Sequence, residues 1–276
     1  TSLRERMEHL MDYKPNLVGF LDILGFSSTC LQTESRNEAR ATDAKERIRK
    51  IFALCQTIPR EFDRLLVKRR IHSIVISDSI LLTLELESEN PSIDEIANFT
   101  LATGQFQYHL AKNDFFIRGA ISVGPLYFNS DEKQAVGPAL IRAVELEKTS
   151  AKYPRVILDS LVMEKSAYND ALEFRREVNG VYSQDKQHAL FEWAHPFDKD
   201  KEAKLARDVP FIVDFLRSTK GDQDVVAIAE SVARGLRGPI QYYEKYRWLA
   251  DYVLASHRQR CMGLQNEDPT LEGLLG

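Results

Sequence analysis

The sequence predicts an α+β fold, a ferredoxin-like set of strands in the order β-α-β-β-α-β-α-β lying under a layer of helices. Three observations carry this. Two short apolar runs, Leu17–Ser27 and Ile71–Leu82, are rich in branched residues and read as buried strands. Stretches with apolar residues at helical spacing separate the strand-like runs. Turn and helix-start signals stand at the joints between them.

Taken in order, residues 1–14 read as a short polar helix or arm, and the first strand covers about 17–24. From Thr33 to Arg70 the chain is polar, with Ile48, Ile51, Phe52, Leu54, Cys55, Phe62, Leu65 and Leu66 at helical spacings and Pro59 as an interruption. A hairpin follows: His72–Ile76, a turn at Ser77-Asp78-Ser79, then Ile80–Leu86. Pro91-Ser92 opens a second helix whose apolar side is Ile93, Ile96, Phe99, Leu101 and Phe106. Phe115–Tyr127 reads as a strand. Gly137-Pro138 starts a third helix, because proline suits the first helical position. Leu140, Ala143, Val144 and Leu146 give that helix its inner face, and Arg155–Leu158 is a further strand.

Beyond residue 160 the pattern changes. A strand pair is expected near Ala189–Trp193 and Val209–Leu216, then helices over Asp224–Leu236 and Pro239–Arg258. The cluster Tyr242, Tyr243, Tyr246 and Trp248 suits a core or a dimer contact. The tail from Gly263 is expected to be loose. The organisation is therefore a core over 1–160 and, over 161–276, a C-terminal part of the same domain with a strand pair and a helical extension.

Composition narrows the function. With 276 residues, 43% hydrophobic and 28% charged, the chain builds a real core. A net charge of -4 opposes general nucleic-acid binding, which needs a basic face. Cys30, Cys55 and Cys261 fit neither a zinc spacing nor a complete disulfide set, so they read as free thiols in a reducing cytoplasm. Thr1-Ser2-Leu3-Arg4-Glu5-Arg6 lacks the apolar core of a signal peptide, and no apolar run reaches the length of a membrane span. The expectation is a soluble cytoplasmic protein.

The chemistry concentrates on two aspartates. Asp22 ends the first apolar run and Asp78 sits within the second. A carboxylate in such a run is costly without a partner or a cation. Two of them on neighbouring strands form a hard-oxygen site for magnesium or manganese. The loop from Leu24 to Ser28 could offer N–H groups to a phosphate. Bland readings stand beside this one: Asp78 between two serines suits a hairpin turn, and Asp22 suits a structural carboxylate. The two motifs taken together favour the metal site.

These residues resemble the catalytic domain of class III nucleotidyl cyclases. The resemblance covers roughly 17–160 and rests on Phe20–Ser27, on Ile76-Ser77-Asp78-Ser79, on Arg118-Gly119-Ala120-Ile121 with Gly124, and on Gly137–Leu146. It implies that Asp22 and Asp78 hold two divalent cations, Mn²⁺ or Mg²⁺, with the carbonyl of Ile23 as a further ligand. It implies that Gly25, Phe26 and Ser27 bind the triphosphate, and that the active site lies between the subunits of a head-to-tail homodimer.

The departures sharpen the resemblance. The asparagine and arginine that purine cyclases carry on the third helix fall on Ile141 and Glu145, with Arg142 next to the first. The purine-reading lysine falls on Ile74 and its acidic partner on Gln134. With Gly137–Glu147 and Ala151–Asp159, the chain most resembles the pyrimidine cyclases of bacterial Pycsar anti-phage systems. That implies conversion of UTP, or alternatively CTP, to a cyclic monophosphate read by a separate effector, with no nucleic-acid or membrane partner. A degenerate cyclase domain that binds a nucleotide without turnover is the alternative from another class.

Other side chains are weighed here. Arg118 suits either a strand-end arginine reaching water or a phosphate or base contact. Lys148 and Lys152 read as solvated, with a contact to a triphosphate across the dimer as the other reading for one of them. His72, His109, His188, His195 and His257 lack metal-ligand spacing. Ser27 and Ser28 have no histidine–aspartate pattern nearby, which argues against serine nucleophile chemistry.

Overall fold

The computed structural model describes residues 12–65, 71–191, 211–218, 225–261 and 269–275. The expected N-terminal arm falls mostly outside them, as do Trp193 and His195.

The chain runs β1 (Lys14–Ile23), α1 (Phe26–Gln32), α2 (Glu38–Leu65), β2 (His72–Ile76), β3 (Ser79–Glu85), α3 (Ile93–Ala111) and β4 (Ile117–Asn129). It continues through β5 (Gln134–Val136), α4 (Pro138–Thr149), β6 (Val156–Leu158), α5 (Ser160–Lys165), α6 (Ala171–Gly180), β7 (Leu190–Phe191) and β8 (Ile212–Val213). The last helices are α7 (Val225–Leu236), α8 (Tyr243–Cys261) and α9 (Pro269–Leu275). The α+β class and the predicted strand order are observed, with α1 and β5 as additions.

One sheet holds the order β2-β3-β1-β4-β6-β8-β7, with β5 paired to β4. β1 lies antiparallel between β3 and β4, and β4 runs parallel to β6. The helices do not form a single layer. Leu17, Leu21 and Ile23 of β1 face Ile51 and Cys55 of α2 and Phe99 of α3. Val18 faces the other way, with Ile74, Leu81, Leu126 and, from α4, Ala139 and Ala143. Helices on both faces explain why β1 reads as a continuous apolar run rather than an alternating one.

Local chemistry sets the joints. Ser92 caps α3 by accepting from the Glu95 N–H at 3.3 Å, while Glu95 Oε2 accepts from the Ser92 N–H at 2.9 Å. Gly137 precedes α4 and Pro138 opens it, as the sequence predicts. Pro59 does not interrupt α2. Proline removes one bond from a helical ladder, but Ala44, Ile51 and Cys55 keep the preceding turns buried on the core. The loose tail expected from Gly263 lies outside the described residues up to 268 and is corrected beyond it, because Pro269–Leu275 is helical with Leu271 and Leu275 buried.

The C-terminal helices build a second core. Ile228, Ala229 and Val232 of α7 and Leu249, Tyr252 and Val253 of α8 pack with Phe116, Phe191 and Phe215. Trp248 stacks on Tyr153 and on Tyr252, at 6.0 and 5.5 Å. Of the aromatic cluster foreseen here, Trp248 is buried and Tyr243 is exposed. No described helix is long and apolar enough to cross a membrane.

Candidate active site

Asp22 occupies the penultimate position of β1. Its antiparallel partners are Ser79 on β3 and Arg118 on β4. Side chains alternate along a strand, so Asp22 shares the α4-side face with Val18 and Phe20. Asp78 belongs to a two-residue turn between β2 and β3, with Ser77 at a φ of 58°. The turn reading of Asp78 and its place beside Asp22 are thus compatible. The Ile23 N–H donates to the Asp78 carbonyl at 3.0 Å, which seats the turn on the end of β1. Ser27 Oγ lies 3.4 Å from Asp78 Oδ2.

Arg118 turns back to the site. Its Nε donates to Asp22 Oδ2 at 3.1 Å, and Nη2 lies 2.7 Å from Glu147 Oε1. Oε1 accepts no aligned hydrogen bond, so that second contact is ionic rather than directional. Glu147 comes from α4 and its side chain is only 4% exposed. The apolar spacing of α4 hides it, since Glu147 takes an inner-face position one step beyond Leu146. A carboxylate at a core-facing helical position is the signal that identifies it. Lys245 on α8 was equally unforeseen, and no local pattern links it to Asp22.

The carboxylates crowd one another. Burial holds the Asp22 carboxyl above its usual range; Arg118 pulls the other way, and Asp78 adds to the rise. Glu147 is raised by burial, against the pull of Arg118, with repulsion from Asp22 and Asp78 added. Each acid is short of positive charge, the condition a divalent cation relieves. Among the described residues no group of three or more His, Cys, Asp or Glu side chains gathers as a metal cage. Two carboxylates, with carbonyl, water and phosphate oxygens completing the shell, suit Mg²⁺ or Mn²⁺ held between protein and nucleotide.

The other expected residues divide. Gly25 precedes α1 at a φ of 77°, which favours glycine, and its carbonyl accepts from the Thr29 N–H at 3.0 Å. Phe26 is buried edge-on to Phe52 at 6.3 Å, whereas Ser27 is exposed. Ile74 packs in the apolar cluster on the α4 side, and Gln134 is exposed on β5. Arg142 is tied to Asp159 by both Nε and Nη2, and Asp159 also accepts from Ser122 and from the Leu161 N–H. Within one chain Arg142 is therefore not brought to Asp22. Lys148 and Lys152 are exposed. Cys30 and Cys55 are free, and burial pushes the Cys55 thiol up to about 11.

No protein-family model matches the chain. No curated protein matches it either. Solved structures resemble its fold. The adenylyl cyclase CyaB from P. aeruginosa is 16% identical, over 56% of this chain and 81% of that one, at a TM-score of 0.39. The guanylyl cyclase Cya2 is 14% identical over 56% and 80%, at 0.37. The guanylyl cyclase domain of the RhoGC fusion protein from the fungus Blastocladiella emersonii is 15% identical over 55% and 85%, at 0.34. At these scores the likeness assigns no activity to the chain.

Proposed function

We propose that the chain is a pyrimidine nucleotide cyclase that converts UTP to 3′,5′-cyclic UMP and pyrophosphate. The observation that carries this is the juxtaposition of Asp22 and Asp78 at the end of β1, beside an arginine held by a buried glutamate. Asp22, Asp78 and the Ile23 carbonyl would hold two Mn²⁺ or Mg²⁺ ions. Such ions acidify a ribose 3′-hydroxyl and neutralise a triphosphate. In the reaction the 3′-hydroxyl loses its proton to water, its oxygen bonds to the α-phosphorus, the bond from that phosphorus to the oxygen bridging to the β-phosphate breaks, and pyrophosphate leaves with that electron pair. Arg118, tethered through Glu147, lies where it can meet developing phosphate charge. Gly25 and the first helical residues Phe26 and Ser27 lie beside the aspartates, where a triphosphate would run.

The base assignment rests on the resemblance and on charge. Ile74 is apolar and Gln134 neutral, so neither position offers the charged reader that a purine site would use. UTP is preferred to CTP on the resemblance alone. The resemblance also supports a cytoplasmic homodimer with active sites at its interface, and a role in anti-phage signalling through a separate effector. Ile76 beside the metal turn and Ile141 on α4 are exposed, at 63% and 62%, and suit such an interface.

One observation favours a binding module without turnover: Arg118 already pairs with Asp22. Incubation with each of the four nucleoside triphosphates and Mn²⁺, with products resolved by chromatography, decides between the readings. A cyclic pyrimidine product is expected. Cyclic purines alone would overturn the base assignment, and nucleotide binding without product would leave the non-catalytic module.

A further inference from the structure

Lys245 is placed where a lysine gains little stability. It lies in the first turn of α8, where the positive end of the helix dipole disfavours a cation. It is half-buried, which disfavours the ammonium form. Arg118 repels it as well. Its ammonium lies 5.7 Å from the centre of the Tyr242 ring and forms no ion pair with a described carboxylate. The attractions that oppose these effects come from Asp22 and from the face of the Tyr242 ring.

The placement is fixed by packing. Next to Lys245, Tyr246 meets Phe116 edge-on at 5.9 Å and 88°. The Phe116 carbonyl accepts from the Leu24 N–H at 2.8 Å, so this contact sits on the two strand ends that carry Arg118 and Asp22. Three residues on from Lys245, Trp248 stacks between Tyr153 and Tyr252, and the Arg155 guanidinium lies 5.6 Å from its ring. α8 is thus fastened to the catalytic sheet beside the site. Two cations from distant parts of the chain, Arg118 and Lys245, thus stand beside Asp22, where a polyanion bound at the site would meet them.

We propose that Lys245 is a substrate-binding residue, through which the C-terminal helical unit presents an ammonium, in the same chain, to the triphosphate of a nucleotide held at Asp22 and Asp78. This rests on the nucleotide reading of that site. It gives α8 a direct part in the site and makes the fastening of α8 to the sheet a requirement for substrate affinity.

The test uses the full chain, Mn²⁺ and inorganic tripolyphosphate, which has no base, no ribose and no reaction to undergo. Titration calorimetry compares the unaltered protein with Lys245→Met, Lys245→Gln, Lys245→Arg and the control Arg247→Met, whose exposed side chain pairs with Asp251. Loss of one charge-assisted contact is expected to weaken tripolyphosphate about ten-fold or more in the Met and Gln variants. Lys245→Arg is expected to stay within about three-fold of the unaltered protein, and Arg247→Met to match it. Binding of Mn²⁺ alone should not weaken in any variant. Tripolyphosphate binding within about two-fold in both neutral variants would overturn the proposal. So would a parallel loss of Mn²⁺ binding, or no tripolyphosphate binding by the unaltered protein. Lys245-dependent binding with no cyclic product would remove the cyclase reading and keep Lys245; turnover with unaffected neutral variants would do the reverse.

Discussion

Gly119 permits the closest strand approach near the site, and Gly119→Ala tests whether that approach sets the site's geometry. Gly119 lies opposite Leu21 on β1 and Val156 on β6, one residue from Arg118. A Cβ at this position would stand 2.3 Å from the Phe20 carbonyl oxygen, 2.7 Å from Leu21 Cδ2 and 3.0 Å from Leu21 Cα. Packed heavy atoms settle at roughly 3.5 Å, so β1 and β4 must part by about 1 Å. Ladder bonds normally near 2.9 Å would stretch to about 3.9 Å, beyond useful hydrogen bonding. Overpacking costs about 1–3 kcal/mol, and one or two weakened bonds add about 1 kcal/mol each, giving roughly 2–5 kcal/mol. At about 2–4 °C per kcal/mol, Tm should fall by roughly 4–20 °C in a calorimetric or fluorescence melt. Mn²⁺ affinity, read by electron paramagnetic resonance on the folded variant, should rise, because the shift draws the competing Arg118 guanidinium away from Asp22. A Tm within about 2 °C of the unaltered protein, with Mn²⁺ affinity unchanged, would refute the reasoning.

Two further outcomes are expected. The folded state raises the Asp22 carboxyl above its ordinary 3.8, so it holds that proton more tightly than the unfolded chain does; the metal-free protein should lose stability as pH rises through the interval beginning there. Asp22→Asn should therefore raise the metal-free Tm at neutral pH and flatten its acid-side dependence while abolishing turnover, and a lower Tm would contradict the charge balance. If the two sites of a homodimer are shared between subunits, mixing inactive Asp22→Ala chains with chains inactivated by Lys148→Ala should recover about a quarter of normal activity, since half the dimers carry one intact site. Mixed dimers verified by mass but still inactive would place every essential group in one chain.

The sequence makes the strands around Asp22 and Asp78 legible because local rules dominate there. Branched residues mark β1, a serine–aspartate turn marks the β2–β3 joint, and Gly137-Pro138 marks the start of α4. It does not show how β1 is covered on both faces, because a doubly buried strand loses the alternation that would say which face meets which helix. β7 and β8 are two residues each, too short for a period. Glu147 and Lys245 reach Arg118 and Asp22 only through folding, and Arg142 is taken up by Asp159 through a contact no spacing encodes. Pro59 shows the opposite failure, a strong local signal overridden by tertiary packing.

The pairing of Ile157 on β6 with Ile212 on β8 has a consequence for the order in which the protein is completed. On a ribosome the strands bearing Asp22, Asp78 and Arg118 emerge long before β8 and α8. Until the later residues arrive, β6 offers an open edge and Phe116 lacks Tyr246 above it. Such unpaired edges and bare aromatic surface are where nascent chains associate wrongly. Chaperone dependence and aggregation of stalled chains should therefore concentrate in the interval between release of β6 and release of α8, after β1 to β4 are already made.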